Sequence, residues 1–293
     1  MLVAFIGLGN MGAPMADNLA KAGHDVRGFD LSEAARGAVG EAVEVFDSVP
    51  HAVAGADAVV SMLPSGRALL AVYDEAIPAA RPDTLFVDCS TVDVDSAARA
   101  HAMAGEAGMA SVDAPVSGGV MGARNATLTF MAGGAPAALG RADPLLEPMA
   151  GRVVHCGGPG AGQAAKICNN MLLAVSMIGA GEAFNLGRRL GLEDQALFDV
   201  ISTASGQCWS VNTYCPVPGP VPGSPANDGY RPGFAVDLMC KDLGLAAEAA
   251  AGAGAATPLG DRARALYDEH RGAGFGGADF SGIIRMLAER ARD

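Results

Sequence analysis

The chain has few charged residues and few aromatic ones. Of its 293 residues, 18% are charged and 5% are aromatic, and acidic residues outnumber basic ones by 32 to 20, giving a net charge of −12. Proteins that bind nucleic acids or anionic membranes need clustered Lys and Arg, which this composition does not favour. Half of the residues are hydrophobic, so the chain can bury a substantial core. We therefore expect a globular protein of one large or two ordinary domains, with neither nucleic acid nor a membrane as its partner.

The six cysteines form no CxxC pair and no Cys/His cluster with metal-ligand spacing. The sequence therefore predicts no metal site, and free thiols in a reducing cytoplasm are the simplest account. The apolar residues 1–6 lack the basic region and the cleavage site of a signal peptide. The longest later apolar run, residues 171–183, is shorter than the roughly 20 residues that cross a bilayer. Together these features predict a cytoplasmic location.

The first glycine-rich stretch lies between a predicted strand, residues 2–6, and a predicted helix that ends near residue 23. Its residues are Gly7, Leu8, Gly9, Asn10, Met11 and Gly12. In a G-x-G-x-x-G turn at this place, the first glycine permits the turn and the second lets a pyrophosphate approach the backbone. The third lets the helix pack closely on the strand, and the helix N-terminus directs free N–H groups at the phosphates. This pattern predicts a dinucleotide-binding turn.

Asp30 follows the second predicted strand, about 20 residues after the glycines. A carboxylate at this point accepts hydrogen bonds from the adenosine ribose hydroxyls and repels a 2′-phosphate. No Lys or Arg follows Asp30 before Arg36, so the sequence predicts NAD rather than NADP as the cofactor. The other interpretation of Asp30 is a helix-capping Asp-Leu-Ser turn.

Strands and helices alternate through the first half of the chain. The further predicted strands are residues 42–46, 57–63, 84–89, 111–113, 127–131 and 152–154. This alternation predicts an α/β fold with a Rossmann-type, doubly wound and mainly parallel sheet, in which ligands bind outside the carboxyl ends of strands. Leu63-Pro64 and Ser90-Thr91 occupy two such ends and are predicted walls of a cofactor site. Ser117, Gly118 and Gly119 follow another strand, either as a backbone nest for a carboxylate or as a flexible bend.

From residue 163 onward the patterns are helical, which predicts a second, all-helical domain. Its predicted helices are residues 163–190, 193–203, 236–251, 257–270 and 280–290. The predicted domains are thus 1–162, which binds NAD, and 163–293, which serves substrate binding and dimerisation. A Pro- and Gly-rich loop, residues 216–232, is too long for an ordinary helix connection and lies over either its own site or a partner subunit.

Helical spacing places Lys166, Asn169 and Asn170 on one face of the long helix, while Ile167, Met171 and Leu172 turn toward the core. One ammonium beside two amides on an apolar helix suits an acid/base group with its orienting partners. A lysine has an ordinary pKa of about 10.4, so this role requires apolar surroundings that lower the pKa. The alternative is a lysine that extends to water beside two cap-like asparagines.

Four motifs occur in order: residues 7–24, 113–119, 160–170 and 241–245. Together they resemble the β-hydroxyacid dehydrogenase family over nearly the whole chain. The resemblance implies a Rossmann-type domain, a long linking helix, an all-helical C-terminal domain, and homodimers or homotetramers. Two positions differ from most relatives: Ala68 stands where many have asparagine, and Ala126 where glycine is usual.

The resemblance also implies a role for each matching residue. Lys166 matches the catalytic lysine and Asn170 the amide that helps to position it. The carboxylate-binding loop matches Ser117, Gly118 and Gly119, the cofactor contacts match Leu63, Pro64 and Thr91, and Lys241 matches a lysine near both cofactor and substrate.

Within the family, the loop and residues 227–234 are most similar to bacterial enzymes that oxidise 3-hydroxyisobutyrate with NAD during valine breakdown. The expected substrate is therefore a small 3-hydroxy acid. Reduction of tartronate semialdehyde or succinic semialdehyde is the alternative within the family. A non-catalytic NAD-sensing protein on the same fold is the alternative from another class, and it is disfavoured by the intact Lys166 with its two asparagines.

Overall fold

A computed structural model describes residues 1–290; residues 291–293, at the end of the predicted second domain, lie outside the described residues. The chain divides into two compact units, Met1–Lys166 and Ile167–Asp293. The sequence-based boundary, between residues 162 and 163, falls slightly before this division. Each unit has its own apolar core.

The first unit is a nine-stranded sheet flanked by helices. Its strands are β1 Leu2–Ile6, β2 Asp25–Phe29, β3 Val43–Val45, β4 Ala58–Ser61, β5 Leu85–Asp88, β6 Ala110–Asp113, β7 Val116–Ser117, β8 Leu128–Gly134 and β9 Ala150–Gly157. Its helices are α1 Gly12–Lys21, α2 Glu33–Arg36, α3 Val49–Val53, α4 Gly66–Ala79, α5 Val94–Glu106, α6 Gly119–Arg124 and α7 Pro136–Leu146, followed by the 3-10 turn Glu147–Met149.

The strand order is β3-β2-β1-β4-β5-β6-β8-β7, with β9 paired to β8. Strands β1 to β6 are parallel to one another, whereas β8 runs antiparallel to β6 and β7. The predicted Rossmann-type, mainly parallel sheet is therefore confirmed. The short strand β7 and the helix α6 lie in the region that the sequence analysis treated as a loop.

Both faces of the sheet are buried, which explains why its strands are continuous apolar runs. Successive side chains of a strand point to opposite faces. In β1, Val3 and Phe5 belong to one apolar cluster, while Ala4 and Ile6 belong to the other. Helices therefore cover both faces and leave the strand ends as the accessible edge.

The carboxyl ends of the central parallel strands are in register. Ile6 is opposite Ser61, Ser61 is opposite Asp88, and Asp88 is opposite Asp113. The turns that follow these residues thus leave the sheet side by side, as expected for the ligand-binding edge of a doubly wound sheet.

The second unit is helical, and no β-strand is present between residues 167 and 290. The long helix α8, Ala161–Arg189, begins in the first unit and continues into the second. The other helices are α9 Asp194–Ile201, α10 Trp209–Asn212, α11 Val236–Ala253, α12 Pro258–His270 and α13 Ile283–Arg290, with short turns at Pro225–Asp228, Arg271–Phe275 and Phe280–Gly282. The core is formed by apolar residues of α8, α11, α12 and α13.

Asp279 organises the segment around the Pro-rich loop. One carboxylate oxygen accepts hydrogen bonds from the Tyr214 hydroxyl and from the backbone N–H groups of Gly233 and Phe234. The Tyr214 ring stacks between Trp209 at 4.7 Å and Phe280 at 5.5 Å, measured between ring centroids. This aromatic stack fixes the residues just before the loop to those just before α13.

Helix α8 is longer than the apolar run from which the sequence analysis excluded a membrane span. By length and composition this helix could cross a bilayer, and 44% of its most apolar 18-residue stretch is buried within the chain. The length criterion alone therefore does not exclude a membrane. A single such helix is weak evidence for one, because core helices of soluble proteins meet the same criteria.

His270 makes the stability of the second unit depend on pH. The residue is 2% exposed, neither ring nitrogen has a hydrogen-bond partner among the described residues, and the ring stacks on Phe275. Burial lowers the pKa of His270 from its ordinary 6.5, and the nearby Arg285 lowers it further. Below pH 6.5 the unfolded chain takes up this proton before the folded chain does, so stability is lost as the pH falls.

We expect the free energy of unfolding of the wild type to decrease between pH 7.5 and pH 5.5 by more than that of His270→Phe, which keeps an aromatic ring but cannot titrate. Urea unfolding followed by circular dichroism at the two pH values measures this difference. The exposed His51 supplies the control, since His51→Gln should retain the wild-type pH dependence. Equal losses in wild type and His270→Phe would contradict the assignment.

Candidate functional site

The glycine turn after β1 has two crowded positions and one open position. A Cβ at Gly12 would lie 1.8 Å from the carbonyl oxygen of Gly7, and a Cβ at Gly7, where φ is +98°, would lie 2.3 Å from that of Met62. A Cβ at Gly9 would have no atom within 4 Å. Gly7 and Gly12 thus permit close packing, while Gly9 leaves open space beside the N-terminus of α1. This is the cradle that a pyrophosphate requires, so these residues fit a dinucleotide.

Asp30 is fixed at the end of β2 by two backbone donors. Its carboxylate oxygens accept hydrogen bonds of 2.8 Å from the N–H groups of Leu8 and Ser32. Each oxygen retains a lone pair that can accept a ribose hydroxyl. The guanidinium of Arg36 donates to the Asp30 carbonyl oxygen at 2.6 Å, so a cation does lie beside this turn despite its distance in sequence. The negative charge of Asp30 remains the feature that disfavours a 2′-phosphate.

A buried carboxyl joins the two predicted walls of the cofactor site. Asp88 Oδ1 accepts hydrogen bonds from the hydroxyls of Ser61 and Ser90, at 2.7 and 2.6 Å. The Ser90 hydroxyl oxygen in turn accepts a 2.8 Å hydrogen bond from Leu63 N. The turn at Leu63-Pro64 and the turn at Ser90-Thr91 are therefore held to the same side chain. Burial raises the pKa of Asp88 to about 6, against the opposing effect of these hydrogen bonds.

The first turn of α8 is bound to the end of β6. Asp113 accepts hydrogen bonds from Gly160 N at 2.8 Å and from Gln163 N at 2.9 Å, so its carboxylate caps N–H groups that a helix start otherwise leaves unpaired. His101 Nε2 lies 2.9 Å from the same carboxylate. A Cβ at Gly162 would lie 2.2 Å from the Met131 carbonyl oxygen, which shows how closely this turn packs on the sheet.

Lys166 lies one turn further along α8. The residue is only 7% exposed, and Asn170, four residues later, is 2% exposed. Asn169 is exposed, but its amide donates to Asn170 Oδ1 at 2.9 Å. Ile167 is buried as predicted, whereas Leu172 is 64% exposed, so the prediction that it faces the core is wrong. The core of the second unit covers a narrower arc of α8 than helical spacing indicated.

In the second unit, Asn170 connects α8 to α11. Its side-chain N–H donates to the buried carboxylate of Asp242, the residue after Lys241. Lys241 itself is half-buried. The structure thus brings Asn170 to the segment of α11 that carries Lys241.

The segment Ser117–Gly119 joins the short strand β7 to helix α6. Ser117 pairs with Thr129 of β8, and Gly119 begins helix α6. Gly118 and Gly119 have φ angles of +131° and +62°, which glycine adopts easily. Gly118 forms a bend between β7 and α6, as one of the two interpretations expected, and the role in carboxylate binding stays a prediction.

Within the first unit, the predicted cofactor residues all follow the carboxyl ends of parallel strands. They are the turn from Gly7 to Gly12, Asp30, Leu63, Pro64 and Thr91. Among residues 1–290, no three or more His, Cys, Asp or Glu side chains form a group suited to a metal ion. The six cysteines are free thiols.

Two residues of this edge of the sheet, Asp88 and Gln163, were not predicted from the sequence. A polar residue that ends an otherwise apolar strand is the signal that could have identified Asp88. No local pattern marks Gln163, because its side chain bonds residues 71 and 73 positions earlier.

Both halves of the chain match known dehydrogenase domains. Residues 2–158 match the family described as the NAD binding domain of 6-phosphogluconate dehydrogenase. Residues 160–287 match the family described as NAD-binding of NADP-dependent 3-hydroxyisobutyrate dehydrogenase.

Individual relatives extend over nearly the whole chain. A probable 3-hydroxyisobutyrate dehydrogenase of Mycobacterium tuberculosis is 56% identical over 290 residues, covering 99% of this chain and 98% of its own length. The NAD-dependent L-serine dehydrogenase of Pseudomonas aeruginosa is 46% identical over 289 residues, covering 97% of each chain.

Among solved structures, Mycobacterium tuberculosis 3-hydroxyisobutyrate dehydrogenase with L-serine has a TM-score of 0.94 and 55% identity, and the match covers 97% of this chain and 98% of that one. The two family matches and these relatives agree with the dinucleotide site that the glycine cradle and Asp30 form. The chain belongs to the β-hydroxyacid dehydrogenase family and is an NAD-dependent hydroxyacid dehydrogenase.

Proposed function

We propose that this protein oxidises 3-hydroxyisobutyrate to methylmalonate semialdehyde, a step of valine breakdown, with Lys166 as the general acid/base. The observation that carries the proposal is the position of Lys166. It is a buried lysine on α8, one turn after the point where that helix is bound to the ends of β5 and β6. The 3-hydroxyisobutyrate dehydrogenase relatives support the substrate.

In the proposed reaction the cofactor accepts the hydride and the protein transfers the proton. NAD, when bound, supplies the acceptor for the hydride. Lys166 Nζ, as a neutral amine, takes the proton from the substrate hydroxyl oxygen while a hydride leaves the carbon that bears this hydroxyl, and an aldehyde remains. In the reverse direction the ammonium returns the proton to the carbonyl oxygen.

The other proposed contacts bind and orient. Ser117, Gly118 and Gly119 hold the substrate carboxylate through a hydroxyl and backbone N–H groups. Asn170, whose own orientation is fixed by Asp242, orients Lys166 and the substrate. Lys241 supplies positive charge near cofactor and substrate, which matters for an anionic substrate in a chain of net charge −12.

L-Serine is a second candidate substrate. The Pseudomonas relative named NAD-dependent L-serine dehydrogenase and the solved structure with L-serine both favour it. L-Serine also carries a carboxylate and a primary alcohol on the third carbon, so the same proton and hydride steps apply. On the second carbon, L-serine carries an ammonium group where 3-hydroxyisobutyrate carries a methyl group.

A panel of 3-hydroxy acids, assayed by NADH absorbance, tests the proposed function. We expect the largest kcat/KM for 3-hydroxyisobutyrate with NAD, a smaller value for L-serine, and a loss of at least about tenfold with NADP, because like charges at Asp30 and a 2′-phosphate repel. Tartronate and succinic semialdehydes with NADH test the reductive alternatives. A larger kcat/KM for any other substrate would refute the assignment, NADP preference would refute the role of Asp30, and inactivity throughout would favour an NAD-sensing protein.

We further propose a cytoplasmic homodimer or homotetramer without a membrane partner. Leu172, Leu186 and Leu190 of the α8 region are more than half exposed, which a second copy would cover. Light scattering of the purified protein tests this, since a monomer at micromolar concentration would contradict it.

A further inference from the structure

Gln163 makes hydrogen bonds to two strand ends at once. It is 0% exposed and is the third residue of α8. Its backbone N–H donates to Asp113 at the end of β6. Its side-chain amide donates to the Ser90 carbonyl oxygen at 2.7 Å and accepts from Val92 N at 3.2 Å, just after β5.

These two side-chain hydrogen bonds bracket Thr91. The Ser90 carbonyl and the Val92 N–H belong to the peptide groups on either side of Thr91, and a neighbouring strand in a parallel sheet bonds to such a pair of groups. The amide of Gln163 thus pairs with the backbone on both sides of Thr91, three residues beyond the end of β5. Ser90 and Val92 are buried while Thr91 is partly exposed. The two hydrogen bonds from Gln163 therefore hold the backbone so that Thr91 lies at the accessible edge of the sheet.

Lys166 follows Gln163 by three residues, less than one helical turn. Inside an intact helix, fixing Gln163 relative to residues 90–92 also fixes the backbone of Lys166 relative to Thr91. The crowding at Gly162 and the cap from Asp113 prevent this turn from shifting along the sheet.

We propose that Gln163 is a positioning residue, which holds Thr91 and Lys166 at a fixed separation by means of its side-chain amide. The inference rests on the proposed function, in which Thr91 contacts the cofactor and Lys166 transfers the proton. Removing the amide releases residues 90–92 and lets Thr91 move relative to Lys166, while the first turn of α8 stays bound to Asp113. Displacements of about 1 Å in such a site cost on the order of 100-fold in rate.

The test compares Gln163→Met with Thr84→Val. Both replacements are close in size to the original side chain, and both remove side-chain hydrogen bonds to backbone groups, at opposite ends of β5. Thr84 is fully buried, and its one hydroxyl proton is shared between the carbonyl oxygens of Ala56 and Arg81 at the amino end of the strand. We expect both variants to unfold at lower temperature than the wild type.

Only Gln163→Met should change function. We expect its dissociation constant for NADH, measured by fluorescence titration, to rise about tenfold and its kcat to fall about 10- to 100-fold. Thr84→Val should keep both values within about twofold. Wild-type NADH affinity and kcat in a destabilised Gln163→Met would overturn the proposal, since Gln163 would then be only structural.

Gln163→Asn provides a second variant if Gln163→Met does not fold. It retains the amide but is one methylene shorter, so it cannot reach both Ser90 and Val92, and the same losses are expected. Wild-type values in this variant would also overturn the proposal. Failure of the proposed function has a different signature. If the proposed function is wrong, the wild-type enzyme will not oxidise 3-hydroxy acids. The NADH dissociation constants of the variants will still show whether Gln163 positions the cofactor site.

Discussion

Replacing Lys166 with alanine is expected to lower kcat about 10²- to 10⁴-fold, the usual contribution of a general acid or base. The dissociation constant for NADH should change little, because the glycine cradle and Asp30 remain intact. Steady-state kinetics with 3-hydroxyisobutyrate and a fluorescence titration with NADH measure the two quantities separately. Loss of turnover with retained cofactor binding is the result that the proposed role requires.

One further variant separates the roles of charge and proton transfer, and a second serves as a control. Lys166→Arg keeps the positive charge but cannot lose its proton in proteins, so it should be nearly as inactive as the alanine variant. Lys21→Ala removes an exposed lysine at the end of α1 and should retain wild-type kinetics. Near wild-type turnover in Lys166→Ala would show that the proton acceptor lies elsewhere.

Alanine at the second glycine of the turn should weaken cofactor binding, whereas alanine at the third should lower the stability of the fold. Gly9→Ala places its Cβ in open space, so we expect an unchanged free energy of unfolding. The same Cβ occupies the space proposed for the pyrophosphate and should weaken NADH binding about 10- to 100-fold, the scale of one lost close contact. Gly12→Ala places its Cβ against the Gly7 carbonyl oxygen, and overpacking of this kind costs about 1–3 kcal/mol or more of stability.

Urea unfolding and NADH titration of the pair test this prediction. Gly140→Ala is a matched control, because Gly140 lies within α7 and a Cβ there meets no atom within 4 Å. It should retain NADH affinity and gain roughly 0.5–1 kcal/mol from its higher helix propensity. If Gly9→Ala destabilised the fold as much as Gly12→Ala, or bound NADH like the wild type, the cradle would be misplaced.

The dinucleotide turn could be predicted from sequence because its determinants are local. One strand, one helix and the second strand lie within the first 30 residues, so the glycine spacing and Asp30 can be interpreted together. The parallel sheet followed from repetition of such units. Helix and strand ends agree with the predictions to within a few residues.

Contacts between distant segments could not be predicted in this way. Helical spacing gives the face shared by Lys166 and Asn170, but not how wide an arc of α8 is covered, which is why Leu172 was misplaced. The bracket that Gln163 forms around Thr91 depends on the packing of α8 against β5. Only the folded chain shows it.

Backbone conformation at particular residues could not be predicted from the sequence either. Ala126 differs from the usual glycine of the family, and the structure gives the physical reason for that preference: its φ is +54°, a left-handed angle that costs non-glycine residues about 1 kcal/mol or more. The Ser117–Gly119 segment has the composition of a loop, yet its glycines allow a strand to turn directly into α6.

The aromatic stack beside Asp279 has a practical consequence. Trp209 is the one tryptophan of the chain, and it belongs to the second unit. Its intrinsic emission therefore reports on melting of the helical unit alone, while the nucleotide-binding unit contributes no indole signal. Denaturation curves from emission and from total secondary structure would coincide if the halves melt together, and would separate if one half melts first.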